Sequence, residues 1–153
     1  MYKTCRIAKA LSAATVLTAL LAGPAAAETK QVQDWKVTCS GNGCAAHYDG
    51  QGVQMVIGNA GQGGKRMSFR ISPTSAQGEP MAIRLDSGWQ AGLTIDGCNQ
   101  QSCQALVAAA QLPTVEAAFA QARSGVIAYK AGNRMVIAPI SLMGFSAANG
   151  MVR

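Results

Sequence analysis

The chain has 153 residues, with 13 Lys and Arg against 7 Asp and Glu, a formal net charge of +6. A basic excess of this size is typical of proteins that bind nucleic acids or membranes. Three of the basic residues, however, are Lys3, Arg6 and Lys9. Without them 10 basic residues remain against 7 acidic ones, a charge of +3, so no nucleic-acid partner is expected.

Residues 1–27 have the pattern of a cleaved Sec-type signal peptide. The basic start is followed by an apolar stretch over residues 10–22, a Gly-Pro break and three alanines, so cleavage is expected after Ala27. The apolar stretch is shorter than the roughly 20 residues that span a bilayer, and no cysteine lies directly after the cleavage site to carry a lipid anchor. We therefore expect a periplasmic or secreted protein without a transmembrane segment, in which residues 28–153 form one domain.

Apolar and polar residues alternate through much of the mature chain, with frequent glycines between the alternating runs, a pattern typical of β-strands. Trp35 alternates in phase with Val37 and Cys39 and is expected in the core. Short strands at near-regular spacing predict a mainly β sandwich. The predicted strands are residues 34–39, 53–57, 65–72 and 81–85, with weaker candidates at 89–95 and 103–108.

The strand at residues 65–72 shows the alternation most clearly. Its apolar residues are expected to face the core: Met67, Phe69 and Ile71. The residues between them are expected to face solvent: Arg66, Ser68 and Arg70. With Lys65, the two arginines form the one basic cluster of the mature chain. We interpret it as a solvated face, with a docking patch for an acidic surface as the alternative.

The segment from Pro113 to Arg123 has helical spacing instead, because it is rich in alanine and its apolar residues lie three to four apart. It predicts one amphipathic helix, with Pro113 in the first turn and Gly125 as the C-terminal cap. A hairpin is predicted next, between residues 126–130 and 134–138. A short C-terminal helix is predicted within residues 141–148.

Four cysteines remain after the signal peptide, in two pairs with the same C-x4-C spacing: Cys39 with Cys44, and Cys98 with Cys103. In an oxidising compartment this even set predicts two disulfides. Loop-closure entropy favours long-range pairing, at about 4 kcal/mol against about 2 kcal/mol for a six-residue loop. Turn-forming residues inside each pair favour local pairing, because a chain reversal brings the two Cα atoms together. We predict the local pairs, with long-range pairing and a four-cysteine zinc site as the alternatives.

No group of residues has the spacing of a catalytic site. His47 is the single histidine, is expected at a strand end, and has no sequence neighbour that completes a triad or metal site. The carboxylates are scattered singly, and residues 61–65 lack the spacing of a phosphate-binding loop. C-x4-C is also not the C-x2-C redox motif. The sequence therefore predicts a protein that is not an enzyme and has no cofactor.

Three motifs, in order along the chain, resemble those of one family. Residues 34–39 resemble the D-W-x-V-x-C opening of the invasion-associated locus B family of exported bacterial proteins. Residues 98–105 resemble its C-x4-C-x-A segment, and residues 141–148 its closing S-L-x-G-F-x-x-A. The sequence departs from the family pattern in its short first cysteine loop, and in having Gln33 where Gly is commoner and Met143 where Lys is usual.

The resemblance implies an immunoglobulin-like β-sandwich, here with one amphipathic helix and a short C-terminal helix. It also implies an envelope protein, in a family whose namesake promotes host-cell entry and whose members mostly have no established biochemical activity. We expect Phe145 to close the sandwich and Gly144 to allow a tight approach.

Two hypotheses for function follow. The preferred one is a non-catalytic interaction protein that contacts an envelope or surface protein, through an edge strand or through the face formed by Lys65, Arg66 and Arg70. The alternative is an inhibitor of an envelope-attacking hydrolase, a lysozyme or a protease, because small, disulfide-linked, exported β domains suit that role.

Overall fold

The structure, a computed structural model, describes residues 27–61 and 64–152, so the predicted signal peptide up to residue 26 lies outside the described residues. None of the helices in the described part is long and apolar enough to cross a membrane. In chain order the elements are β1 (Glu28–Val32), β2 (Trp35–Ser40), β3 (Gly43–Gly50), β4 (Val53–Asn59), β5 (Lys65–Ile71), β6 (Pro80–Leu85), β7 (Gln90–Thr94), β8 (Gly97–Cys98), β9 (Cys103–Leu106), α1 (Leu112–Gln121), β10 (Ser124–Ala131), β11 (Arg134–Ser141) and α2 (Phe145–Met151).

The strands form two antiparallel sheets. One has seven strands in the order β1-β2-β3-β4-β5-β9-β8, and the other has four in the order β11-β10-β6-β7. Alternate residues of strands such as β5 and β6 are buried between the sheets, since a strand presents successive side chains to opposite faces. This architecture confirms the predicted mainly β, immunoglobulin-like sandwich.

Two tyrosines link the sheets across the core. The Tyr129 hydroxyl, from β10, donates a hydrogen bond to the carbonyl oxygen of Gly52 at 2.5 Å. The second bond involves Tyr48 of β3, whose hydroxyl accepts from the backbone N–H of Ser141 in β11 at 3.0 Å. Each bond satisfies a polar group that burial would otherwise leave unpaired.

Helices α1 and α2 complete the core with aromatic rings. Phe119 of α1 packs edge-on against Phe69 of β5 and against Trp89, with ring centroids 6.4 and 6.2 Å apart. Phe145 of α2 lies 5.4 Å from both Phe119 and Trp35. Trp35 is fully buried, as its phase in the sequence predicts.

Three details of the sequence prediction are wrong. His47 lies in the middle of β3, not at a strand end. Helix α1 ends at Gln121, and Gly125 lies in β10, where an added Cβ would stand 2.7 Å from the carbonyl oxygen of Arg84. This glycine therefore permits close strand packing and caps no helix. Ser68 is 6% exposed, because its small side chain lies between Val56 and Leu106 on the outer face.

Each C-x4-C pair forms a disulfide across a hairpin. Cys39 and Cys44 are directly opposite in the register of β2 and β3, with Cα atoms 4.0 Å apart. Cys98 and Cys103 are opposite in β8 and β9, with Cα atoms 3.9 Å apart. The short turn inside each pair reverses the chain and brings the sulfurs together.

Peptide mapping without reduction is expected to recover Cys39 linked to Cys44 and Cys98 linked to Cys103. Replacing Cys98 and Cys103 together by alanine should lower the free energy of unfolding by about 2 kcal/mol, because only a short loop is released. A peptide that joins Cys39 to Cys98 or Cys103, or free thiols in protein made in an oxidising compartment, would contradict the local pairing.

The stability of the sandwich is expected to fall above about pH 10. Burial raises the pKa of Tyr129 above its ordinary value of 10.0, so the folded protein holds this proton more tightly than the unfolded chain. The resulting stabilisation is present below pH 10 and is lost as the pH rises through the higher, folded-state pKa. Tyr129→Phe should cost about 1 kcal/mol at neutral pH and show a shallower alkaline decline in urea denaturation. Parallel declines in the two proteins would contradict this reasoning.

Candidate functional site

The outer face of the seven-stranded sheet brings together cations from distant parts of the sequence. Arg66 and Arg70 both project outward from β5, because the residues that alternate with them are buried. The register continues this face across the sheet, from Ser68 to Val56, then to His47, and then to Lys36 of β2. We call the surface defined by Lys36, Arg66 and Arg70 the basic face.

The cations of the basic face are exposed and form no ion pair with an acidic residue of the described chain. Among the described residues, Lys36, Arg66 and Arg70 form no ion pair within 4.0 Å; the ion pairs found there involve Lys65 and Lys130. Within strands β2 to β5, the acidic residue on this side is Asp49. The basic face therefore presents a net positive charge to solvent.

Lys65 does not belong to this surface, so the three-residue cluster predicted from the sequence is divided between two faces. Its ammonium group donates to the carbonyl oxygen and the side-chain oxygen of Asn149, at 3.1 and 3.2 Å. It also lies 3.7 Å from the Glu116 carboxylate. Lys65 thus links β5 to both helices, because successive residues of a strand point in opposite directions.

Sequence reasoning did not include Lys36 in the basic cluster. Its alternation with the buried Trp35 and Val37 shows that it points outward. Nothing local shows that β2 and β5 belong to one sheet, with β3 and β4 between them. The alternation within β2 predicts the orientation of Lys36, but nothing in the local sequence predicts which residues of other strands lie beside it.

A polar cavity of about 460 Å³ borders the basic face at the β8–β9 hairpin. Arg70 and Gln104 line it on the side of the sheet, and Asp96 and Gln101 on the side of the loop. The Asp96 carboxylate accepts a hydrogen bond from the backbone N–H of Leu106 at 2.6 Å. This carboxylate is therefore held in place by the backbone of the sheet.

His47 is half-buried on the outer face, between Lys36 and Val56 in the register. In residues 27–61 and 64–152, no three His, Cys, Asp or Glu side chains are placed to hold a metal ion. The geometry therefore places His47 on a sheet surface, where its side chain makes no hydrogen bond or ion pair with another described residue.

His47→Ala is expected to leave the protein folded, with a change in the free energy of unfolding of about 0.5 kcal/mol or less. Any turnover should also be unaffected, since among the described residues the imidazole makes no hydrogen bond or ion pair that would serve proton transfer. Thermal denaturation measures the first effect, and an assay against envelope substrates measures the second. A purified protein that turned over an envelope substrate, and lost that turnover with His47→Ala, would contradict a non-catalytic role.

The first and last motifs meet at one joint. The Ser141 hydroxyl donates to the Asp34 carboxylate at 2.5 Å, and the backbone N–H of Asp34 donates to the carbonyl oxygen of Met143 at 3.4 Å. Trp35, which follows Asp34, and Phe145, two residues after Met143, pack edge-on against each other in the core. These motif residues hold the first and last motifs of the chain together.

Comparison with known proteins identifies the family. The sequence model of the invasion associated locus B (IalB) protein family matches residues 35–152, a range that begins at Trp35 and includes the closing motif. The chain belongs to the IalB family. No curated protein matches the sequence.

A solved structure similar to this IalB-family chain is the crystal structure of invasion associated protein b from Bartonella henselae. The two share 16% sequence identity, with a TM-score of 0.66 over 80% of this chain and 94% of the other. At this identity the likeness shows a shared fold.

Proposed function

We propose that this IalB-family protein is exported and acts without catalysis, binding an acidic surface of an envelope or surface protein through the basic face. Export is supported by the signal-peptide pattern of residues 1–27 and by the two disulfides, which persist in oxidising compartments.

The exposed pair Arg66 and Arg70 is the observation that carries the proposal. Four residues apart on one strand, their Cα atoms are separated by about 13 Å, and Lys36 lies three strands away, about 14 Å. The three cations therefore lie on one side of the sheet, within about 16 Å of one another. Since none has an ion-pair partner in the described structure, their charge is available to steer and orient an acidic partner.

Crosslinking in cells followed by purification of the protein tests this proposal. Arg66→Glu/Arg70→Glu reverses two charges on the basic face and should reduce recovery of the crosslinked partner about tenfold or more, because like charges then oppose the acidic surface. Recovery of the wild-type complex should also fall as salt concentration rises.

Arg123→Glu/Arg134→Glu is the matched control, with the same change of charge at exposed positions away from the seven-stranded sheet. It should recover the partner as the wild type does. Equal recovery with Arg66→Glu/Arg70→Glu would contradict the basic face as the binding surface. A lysozyme-like hydrolase or a protease as the crosslinked protein would favour the inhibitor hypothesis instead.

A further inference from the structure

The outer face of the four-stranded sheet differs from the basic face, because it is mostly apolar. It carries the two most exposed large hydrophobic side chains of the described residues, Met135 and Ile137 of the edge strand β11, which are 70% and 66% exposed. Beside Ile137 a shallow groove of about 530 Å³ crosses strands β10, β6 and β7. An exposed apolar surface of this kind typically marks an interaction site.

Side-chain size decreases along one row of this face. The register places Ile137 beside Ala128, Ala128 beside Ala82, and Ala82 beside Gly92. In this row the side chain protrudes at Ile137 on β11, is a single methyl group at the two alanines, and is absent at Gly92 on β7. The fold itself does not require the glycine, since an added Cβ at Gly92 meets no atom within 4 Å and its φ is not in the left-handed region.

We propose that this face binds the same face of a second copy of the chain, around a twofold axis that runs along the strands between β10 and β6. Rotation about this axis reverses the strand order in the second copy. Ile137 therefore lies over the partner's Gly92, and Ala128 lies over the partner's Ala82. A protruding side chain then meets a recess at both ends of the row. The small residues in the middle let the two sheets approach closely.

The neighbouring row fits the same symmetry. Val126 lies between Pro139 and Arg84, and Arg84 lies beside Gln90. Reversal places the aliphatic part of Arg84 over the partner's Val126, with the guanidinium free to reach solvent. The two arginines stand on opposite sides of the axis. A twofold axis perpendicular to the strands would instead set Ile137 against itself, with two protruding side chains in collision.

The size of the face can be compared with that of known interfaces. Its strands are five to eight residues long, which gives about 440 Å² at a strand spacing of about 4.8 Å and a rise of about 3.4 Å per residue. Two copies together cover about 900 Å² by this measure, below the roughly 1,200 Å² at which stable, specific interfaces begin. We therefore expect a weak, reversible dimer.

Sedimentation velocity over a concentration series tests the proposal on purified protein with both disulfides formed. The wild type should change from monomer to dimer across the series. Gly92→Val fills the recess, and Ile137→Ala removes the protruding side chain, so each should raise the dimer Kd about tenfold or more. Met143→Ala is the matched control, because it truncates an exposed hydrophobic residue outside this face and should leave the Kd unchanged.

The double variant Gly92→Val/Ile137→Ala tests the pairing itself. It moves the protruding side chain from β11 to β7 in both copies, so the pairing of protrusion and recess is restored and the Kd should return toward wild type. Circular dichroism verifies that every variant is folded. A protein that stays monomeric throughout, a dimer insensitive to Gly92→Val, or a double variant no tighter than either single one would overturn the proposal.

Discussion

Phe69→Ala is expected to lower the free energy of unfolding by about 3–5 kcal/mol. The Phe69 ring is fully buried on the inner side of β5 and packs edge-on against Phe119, with centroids 6.4 Å apart. Its removal leaves a cavity between the seven-stranded sheet and α1, which the close-packed neighbours fill only in part. Urea denaturation of the two proteins measures the difference.

Arg70→Ala is the control on the same strand, since Arg70 is exposed and has no ion-pair partner in the described structure. It should change the free energy of unfolding by no more than about 0.5 kcal/mol. Equal losses for Phe69→Ala and Arg70→Ala would mean that the two faces of β5 are wrongly assigned.

Gly144→Ala is expected to destabilise the protein by about 3 kcal/mol or more, for two reasons that act together. Gly144 has a φ of 89°, which L-amino acids with a side chain rarely adopt. A Cβ at this position would also approach the carbonyl oxygen of Val32 so closely that the backbone must move. The substitution therefore opens the joint between the first and last motifs, which a lower Tm would report.

Gly150→Ala makes the same chemical change within α2, where a Cβ meets no atom within 4 Å. It should leave stability unchanged or raise it by up to about 1 kcal/mol, because alanine favours the helix. Phe145→Ala, which removes the ring that Gly144 positions, should lower both stability and abundance. A Gly144→Ala protein as stable as Gly150→Ala would contradict the close approach.

Local patterns in the sequence predict much of the secondary structure. Alternation places β4, β5 and β6 at nearly the observed positions, because a period of two is a property of each strand alone. The same rule misses β3, where Cys44, Ala45 and Ala46 are all small and the contrast between the faces disappears. It also leaves out β1, whose residues are mostly polar and exposed.

The sequence by itself determined which side of the strand each residue occupies in β2, β4, β5 and β6, and favoured local disulfides through the turns between the cysteines. Only the tertiary structure decided how strands that are distant in the sequence are ordered in the sheets. It placed Lys36 on the same face of the sheet as Arg66 and Arg70, and Lys65 on the opposite face. It also aligned Ile137 with Gly92 in one row across two intervening strands. The reason is that strand order and register are set by burying whole inner faces against each other, a condition that involves distant segments at once and that no local pattern contains.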